Sequence, residues 1–129
     1  MSYSSVRLSV ANAQFALDLY KQCSSASDVD NIFMSPLSVS VALGMTYLGA
    51  RGETQSQMRA VMHLGDLDDS DVHDSFAAIN SAVNDRAQNA YKLFMANRLF
   101  GEQTYTFLEE FLAAGRKHYG AELAAVDFR

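Results

Sequence analysis

The sequence predicts an α+β chain in which five helices outnumber three short strands. Apolar residues recur at helical spacing through most of the region before residue 86. A compact apolar run at 31–34 and two further segments near the C-terminus have the length and residue types of strands. The chain has 129 residues, 49% of them hydrophobic, which suits a single domain.

The first helix is expected over residues 5–23, where one face is apolar. Its apolar stripe consists of Leu8, Ala11, Phe15 and Leu19. Cys23 lies near the end of this helix and, as the only cysteine, excludes an intrachain disulfide. It is either a reactive thiol or a small packed residue, and the lack of a surrounding motif favours packing.

A short strand is expected at 31–34, with a buried helix directly after it. Ser35 stands where the hydroxyl of a helix N-cap accepts a free amide N–H, and Pro36 suits the first helical position because it has no N–H to lose. From residue 37 to residue 48, apolar side chains cover every side of the helix. This pattern predicts a helix that is buried all round and ends at Gly49.

Two more helices are expected, over residues 53–64 and 70–85. Apolar residues at helical spacing predict both of them. In the first helix these are Met58, Val61 and Met62, and in the second they are Val72, Phe76, Ile79 and Val83.

The last third of the chain predicts a strand, a helix and a second strand. Residues 92–100 carry apolar side chains on both faces, as expected for a strand covered on both sides. Thr106 and Glu109 have the spacing of a capping box for a helix that ends at Gly120. Residues 122–128 are expected to form the final strand.

Three short strands do not close a sheet among themselves, so the predicted sheet has unpaired edges. Either the chain oligomerises through these edges, or further sequence supplies the missing strands. The second explanation is preferred, because two strands that are apolar on both faces need cover from both sides. The predicted fold is therefore incomplete without a C-terminal remainder.

Composition argues against several classes of partner. The net charge is −5 and the ten basic residues are scattered singly, so nucleic acid and anionic membranes are not expected partners. The longest apolar-rich run, residues 37–50, is too short to span a bilayer. No secretory signal pattern begins the chain and no Asn-x-Ser/Thr site is present. We therefore expect a cytoplasmic location, or an extracellular one if a signal segment has been removed.

An acidic joint separates the third and fourth predicted helices. Asp66, Asp68 and Ser70 have the spacing of the start of a calcium-binding loop. Ala77, however, occupies the position of the bidentate glutamate, and the glycine of the sharp turn is missing. The segment is interpreted as a solvated loop.

The histidines and serines form no recognisable catalytic or metal site. His63, His73 and His118 lack partners at ligand spacing, so we interpret them as surface or helix-end residues. Ser35 lies outside any Gly-x-Ser-x-Gly elbow and begins a buried helix, which argues against a hydrolase. The sequence thus predicts no catalytic residue, no cofactor, no metal and no enzyme activity.

Several segments resemble the serpin family in order and spacing, from about residue 8 to residue 128. The segment ANAQFALDLYKQ is similar to the first serpin helix, and NIFMSPLSVSVALGMTYLGARGET to the sixth strand of sheet B with the second helix. LFMANRLFGEQ resembles the second strand of sheet A, and FLEEFLAAGRKHYGAELAAVDF resembles helix E with the first strand of that sheet. The resemblance implies the N-terminal part of a serpin fold, with helices A to E, one sheet-B strand and two sheet-A strands.

The resemblance implies six site residues, none of them catalytic. Ser35, Pro36 and Ser38 would belong to the shutter region beneath the centre of sheet A. The implied framework positions are Leu43, Gly49 and Thr54. The two serines could form hydrogen bonds that exist in one state of the sheet and rearrange in another. A helix-capping role is the favoured main contribution of Ser35.

The resemblance also implies an activity. Serpins inhibit serine proteases, and sometimes cysteine proteases, as suicide substrates. After cleavage their reactive loop inserts into sheet A as a new strand, and serpins are a standard example of such strand addition with release of stored strain. The reactive loop and the remaining strands lie outside residues 1–129, which we expect to be the N-terminal part of a single serpin domain. The alternative is a non-inhibitory serpin that acts as a chaperone, carrier or storage protein.

The implied partners are a target protease, bound through the missing loop, and the C-terminal remainder of the same protein. Because Arg129 is a trypsin-type cleavage residue, we expect a nicked protein whose remainder stays bound without a covalent link. Some serpins bind heparin through helix D, but the matching helix here carries Asp71, Asp74 and Asp85 beside only Arg86. Heparin binding through that helix is therefore not expected.

Overall fold

A computed structural model describes residues 2–25, 31–85 and 95–129 of the chain. These residues form five helices and a sheet of two parallel strands, which confirms the predicted α+β class. In chain order the elements are α1 (Tyr3–Ser24), α2 (Pro36–Gly49), α3 (Gly52–Val61), α4 (Asp69–Asp85), β1 (Leu99–Glu102), α5 (Glu109–Tyr119) and β2 (Leu123–Val126).

The core lies around α2, which contacts each of the other four helices. Its inner face carries Val41 and Met45, and α4 contributes Val72 and Phe76 to the same apolar cluster. The remaining buried members of this cluster are Leu8, Tyr47, Ala50, Met62, Leu64, Leu67, Tyr119 and Ala121. Among the described residues, no helix combines the length and apolar character needed to cross a membrane.

The predicted burial of α2 on all sides is not found within the described residues. Only one side of the helix is buried, and the opposite side is exposed along its length. The exposed residues are Ser38, Val39, Ala42, Thr46 and Gly49. Neither the other helices nor the two strands of the described ranges cover this side, which includes the apolar Val39 and Ala42.

The strand predicted at 31–34 is not present in the described structure. Residues 31–35 precede α2 without strand pairing, and Phe33 is fully exposed. A strand needs a hydrogen-bonded neighbour, and none of the described segments supplies one at this position. The apolar composition of this segment favours burial, but residues 31–33 are exposed in this structure.

The strand predicted at 92–100 begins later than expected, because pairing with β2 starts only at Leu99. The part of the prediction at 92–94 lies outside the described residues. From residue 95 to residue 100 burial alternates, so only one face of the segment is covered. The half-buried residues are Met95, Asn97 and Leu99, and the exposed ones are Ala96, Arg98 and Phe100.

The predicted capping box of Thr106 and Glu109 is wrong. Helix α5 begins at Glu109, with Leu108 at the N-cap position and no side chain capping the first turn. Residues 107 and 108, which the prediction placed inside the helix, precede it instead, and the ring of Phe107 lies close to Gly101. The predicted end is confirmed, since Gly120 adopts the left-handed conformation with φ of 61°.

The two strands pair in parallel, from Leu99 opposite Leu123 to Glu102 opposite Val126. Helix α5 makes the crossover between them, as parallel neighbours require. Within the described residues each strand has one paired edge and one open edge. This two-stranded sheet is therefore too small to be stable by itself and depends on α5 and the helical core.

Candidate functional site

The beginning of α2 brings together three of the residues singled out in the sequence. The Ser35 Oγ accepts the backbone N–H of Ser38 at 3.4 Å, and the two hydroxyl oxygens lie 2.9 Å apart. Pro36 occupies the first turn. This geometry confirms the predicted N-cap, because Ser35 satisfies an amide that the helix itself cannot.

Both serines are exposed, on the same uncovered side of α2 as Val39 and Ala42. The role of Ser35, Pro36 and Ser38 beneath a moving sheet stays a prediction.

The other three site residues do not join this group. Leu43 packs against the core from a half-buried position, and Thr54 is exposed near the start of α3. Gly49 is the last residue of α2, and a Cβ there would lie 3.3 Å from the Phe111 ring of α5. Its missing side chain therefore permits the close approach of α5 to the end of α2.

A polar centre that the sequence did not indicate lies where α2, α3 and α4 meet. The Tyr47 hydroxyl donates to Asp69 Oδ1 at 2.6 Å, and Gln55 donates to the other carboxylate oxygen at 2.8 Å. Arg59 donates to Asp69 at 2.7 Å and to the Tyr47 hydroxyl oxygen at 2.8 Å. It also donates to the carbonyl of Leu67, which fastens the loop between α3 and α4.

These contacts set the charge states in the polar centre. The hydrogen bond from Tyr47, together with the positive charge of Arg59, holds the pKa of the Asp69 carboxyl below its ordinary value. Burial raises the pKa of the Tyr47 hydroxyl. The centre therefore contains a carboxylate, a guanidinium and a neutral phenol, an arrangement that ties three elements together.

His73 extends this centre towards α5. Only 7% of the residue is exposed, and its Nδ1 lies 2.7 Å from the hydroxyl oxygen of Tyr119, a residue that is 1% exposed. Burial, followed by the nearby His118, lowers the pKa of His73 to about 4, and burial raises the pKa of Tyr119. The interpretation of His73 as a surface residue is therefore wrong. His73 lies three residues before the apolar Phe76, and residues at this spacing share a helix face. The sequence therefore did contain a signal that His73 is buried.

The other two histidines each lie near a carboxylate. His63 Nε2 lies 2.8 Å from Asp18, and His118 Nδ1 lies 3.1 Å from Asp74. These contacts place His63 between α1 and the end of α3, and His118 between α5 and α4. Within the described ranges, no three potential ligands among histidine, cysteine, aspartate and glutamate converge on one point.

Cys23 and the acidic joint also have defined positions. Cys23 is exposed, which contradicts the packed position expected for it, because it lies on the solvent side of the last turn of α1. Asp66 forms an ion pair with Arg7, so the joint between α3 and α4 is tied to α1.

A cavity of about 810 Å³ adjoins the polar centre, between the end of α2 and the beginning of α5. Its lining includes the polar residues Tyr47, Asp69 and His73 and the aromatic residues Phe107 and Phe111. The two phenylalanine rings are stacked with centroids 6.4 Å apart. The open side is flanked by Tyr105 and Leu108, which are largely exposed.

Replacing Ser35 by alanine is expected to lower the free energy of unfolding by about 1 kcal/mol, because an N–H of the first turn loses its acceptor. Urea unfolding of the complete protein, followed by circular dichroism, measures this change. Ser56→Ala is the matched control, since its hydroxyl only donates to the carbonyl of Gly52 within α3. An equal loss in both variants would show that the cap contributes nothing specific.

Comparison with known proteins gives a consistent result. A family model described as "Serpin (serine protease inhibitor)" matches residues 10–129. Leukocyte elastase inhibitor of Sus scrofa is 48% identical over 122 residues, and that of Homo sapiens is 46% identical over 123 residues. In both cases the match covers 95% of this chain and 32% of the relative. The chain thus spans about a third of the length of the curated relatives it matches.

Proposed function

The chain belongs to the serpin family, and from this membership we propose that the complete protein inhibits a serine protease. The observation that carries the proposal is the similarity, along almost the entire chain, to proteins named leukocyte elastase inhibitor. Their name points to an elastase-type protease as the target. The protein would then act as an inhibitor and not as an enzyme.

The proposed mechanism is suicide inhibition by loop insertion. The protease would cleave an exposed loop outside these residues, and the cleaved loop would enter the sheet as an additional strand. The open edges of β1 and β2 are compatible with a larger sheet, to which the remainder and the inserted loop would both add strands. The protease would remain attached through the acyl bond to its own serine.

We further propose that the C-terminal remainder of the same protein covers the exposed side of α2 and extends the sheet. Val39 and Ala42 lie uncovered on that side, and Phe100 projects from β1 with more than half of its surface exposed. Burying such apolar surface is favourable by about 25 cal/mol per Å². This burial would favour packing of the remainder against α2 and β1.

The charge of α4 limits the other partners in this proposal. Helix α4 carries four aspartates and neither lysine nor arginine, so a polyanion such as heparin would be repelled there. We also propose a cytoplasmic location for the protein. Cell fractionation followed by immunoblotting tests this location.

Mixing the complete protein with leukocyte elastase is expected to yield a covalent complex that survives denaturing electrophoresis. The physical reason is that loop insertion distorts the protease before the acyl bond is hydrolysed. Trypsin-like and chymotrypsin-like proteases are tested in parallel, and elastase whose catalytic serine has been blocked is the negative control.

The absence of a covalent complex with every active protease would contradict inhibition and favour the non-inhibitory alternative. A complex with the trypsin-like or chymotrypsin-like enzyme alone would retain inhibition but contradict the elastase-type target. Denaturing electrophoresis of each mixture distinguishes these results, because it shows whether a complex forms and with which protease.

A further inference from the structure

A single hydrogen bond between buried side chains joins α4 to α5 beneath α2. His73 of α4 and Tyr119 of α5 meet at 2.7 Å, and their rings lie edge to face with centroids 5.9 Å apart. The Tyr119 hydroxyl lies directly against α2, because a Cβ on Gly44 would be only 2.8 Å from it. The Tyr119 hydroxyl group is therefore in close contact with both α4 and α2.

The surroundings of His73 contain few groups that could stabilise a positive charge. From α2 it faces the ring of Tyr47, and from α5 it faces His118, whose ring centroid is 5.9 Å away. The nearby carboxylates of its own helix are Asp69 and Asp74. Asp69 already accepts from Tyr47, Gln55 and Arg59, and Asp74 already contacts His118.

Protonation would alter this contact in two ways. An imidazolium donates through both ring nitrogens, so the Tyr119 hydroxyl would have to accept, and its own proton would need a new partner. The charge would also be buried beside a second histidine, which opposes it if that residue is protonated too. Opening the contact to water removes both penalties.

We propose that the His73–Tyr119 hydrogen bond is an acid-sensitive lock that fastens α5 to α2 and α4. Because α5 connects β1 to β2, release of the lock loosens the support of the two-stranded sheet. The inference does not require protease inhibition, since it concerns only the attachment of α5. The property to be measured is the local opening of α5.

The sign of the pH dependence follows from the two protonation states. His73 has an ordinary pKa of 6.5 and a folded pKa of about 4, so the opened form binds a proton at a higher pH than the closed form. The lock is therefore intact above the ordinary value and weakens as pH falls towards the folded value. Between about pH 7 and about pH 5 the equilibrium constant for opening should rise about 20-fold.

Hydrogen–deuterium exchange of the complete protein tests the lock. Exchange in peptides covering 109–119 is followed at both pH values and corrected for the intrinsic rate at each pH. The wild type should lose protection in α5 on acidification, whereas His73→Gln, which does not titrate, should keep it. His63→Gln is the control, because His63 contacts Asp18 away from α5 and its loss should leave the acid effect unchanged.

Tyr119→Phe provides a second test that is independent of the histidine substitution. It removes the hydroxyl and retains the ring, so α5 should exchange faster already at about pH 7. Wild-type protection in Tyr119→Phe would overturn the proposal. An equal acid effect in wild type and His73→Gln would overturn it as well, since another group would then be responsible.

Discussion

Phe76→Ala is expected to lower the free energy of unfolding of the complete protein by about 3 to 5 kcal/mol. Phe76 is 1% exposed, and its ring packs against that of Tyr119 with centroids 5.9 Å apart. Truncation removes the transfer free energy of the ring and leaves a cavity between α2, α4 and α5. The surrounding helices are fixed by other contacts, so they cannot collapse fully into the space.

Denaturant unfolding followed by circular dichroism measures the effect of Phe76→Ala. Tyr105→Ala is the matched aromatic control, because Tyr105 is 66% exposed and its loss should cost less than about 1 kcal/mol. Comparable losses in the two variants would contradict the position of Phe76 at the centre of the core.

Gly44→Ala is expected to destabilise the protein by about 1 to 3 kcal/mol, although alanine is the better helix former. The added Cβ would lie 2.8 Å from the Tyr119 hydroxyl and 3.0 Å from the Phe76 ring. Both side chains are buried, so relief requires α5 or α4 to move away from α2. The cost of this movement exceeds the gain of about 1 kcal/mol in helix propensity.

Gly115→Ala is the matched control, since it makes the same substitution inside α5. Its Cβ would meet the nearest atom, Cδ1 of Leu99, at 3.5 Å, which is an ordinary contact. We expect this variant to be neutral or more stable by up to about 1 kcal/mol. The opposite signs of the two alanine substitutions are the test, and stabilisation by Gly44→Ala would contradict the close packing of α2 on α5.

Local chemistry explains which parts of the fold could be predicted. Helix α2 begins at Pro36 and ends at Gly49 as the sequence indicates, because its cap and its terminal glycine act through nearest neighbours. The other helices are also found near their predicted positions, since an apolar stripe at helical spacing needs only one partner surface.

Predictions that depended on distant partners were less successful. Thr106 has the right spacing for a cap, but contacts of Phe107 near Gly101 keep the chain in a loop until Glu109. The apolar segment at 31–34 has strand composition without a strand partner among the described residues. Cys23 is exposed because its helix turns that position towards solvent.

The candidate site shows the same division. The sequence identified Ser35 and Ser38, whose contact is local. It did not identify the contact of His73 with Tyr119, which are separated by 46 residues in the chain. Such a pair has no sequence spacing of its own, so only the packing of α4 and α5 brings the two side chains together.

By itself, then, the sequence determined the family, the helices and the capped start of α2, because these depend on residue types and on neighbours within a few positions. Only the tertiary structure decided which side of α2 is buried, where β1 starts and why position 44 is glycine. Each of these depends on atoms from elements far apart in the chain. Burial in particular is a property of two surfaces, and a sequence pattern describes only one of them.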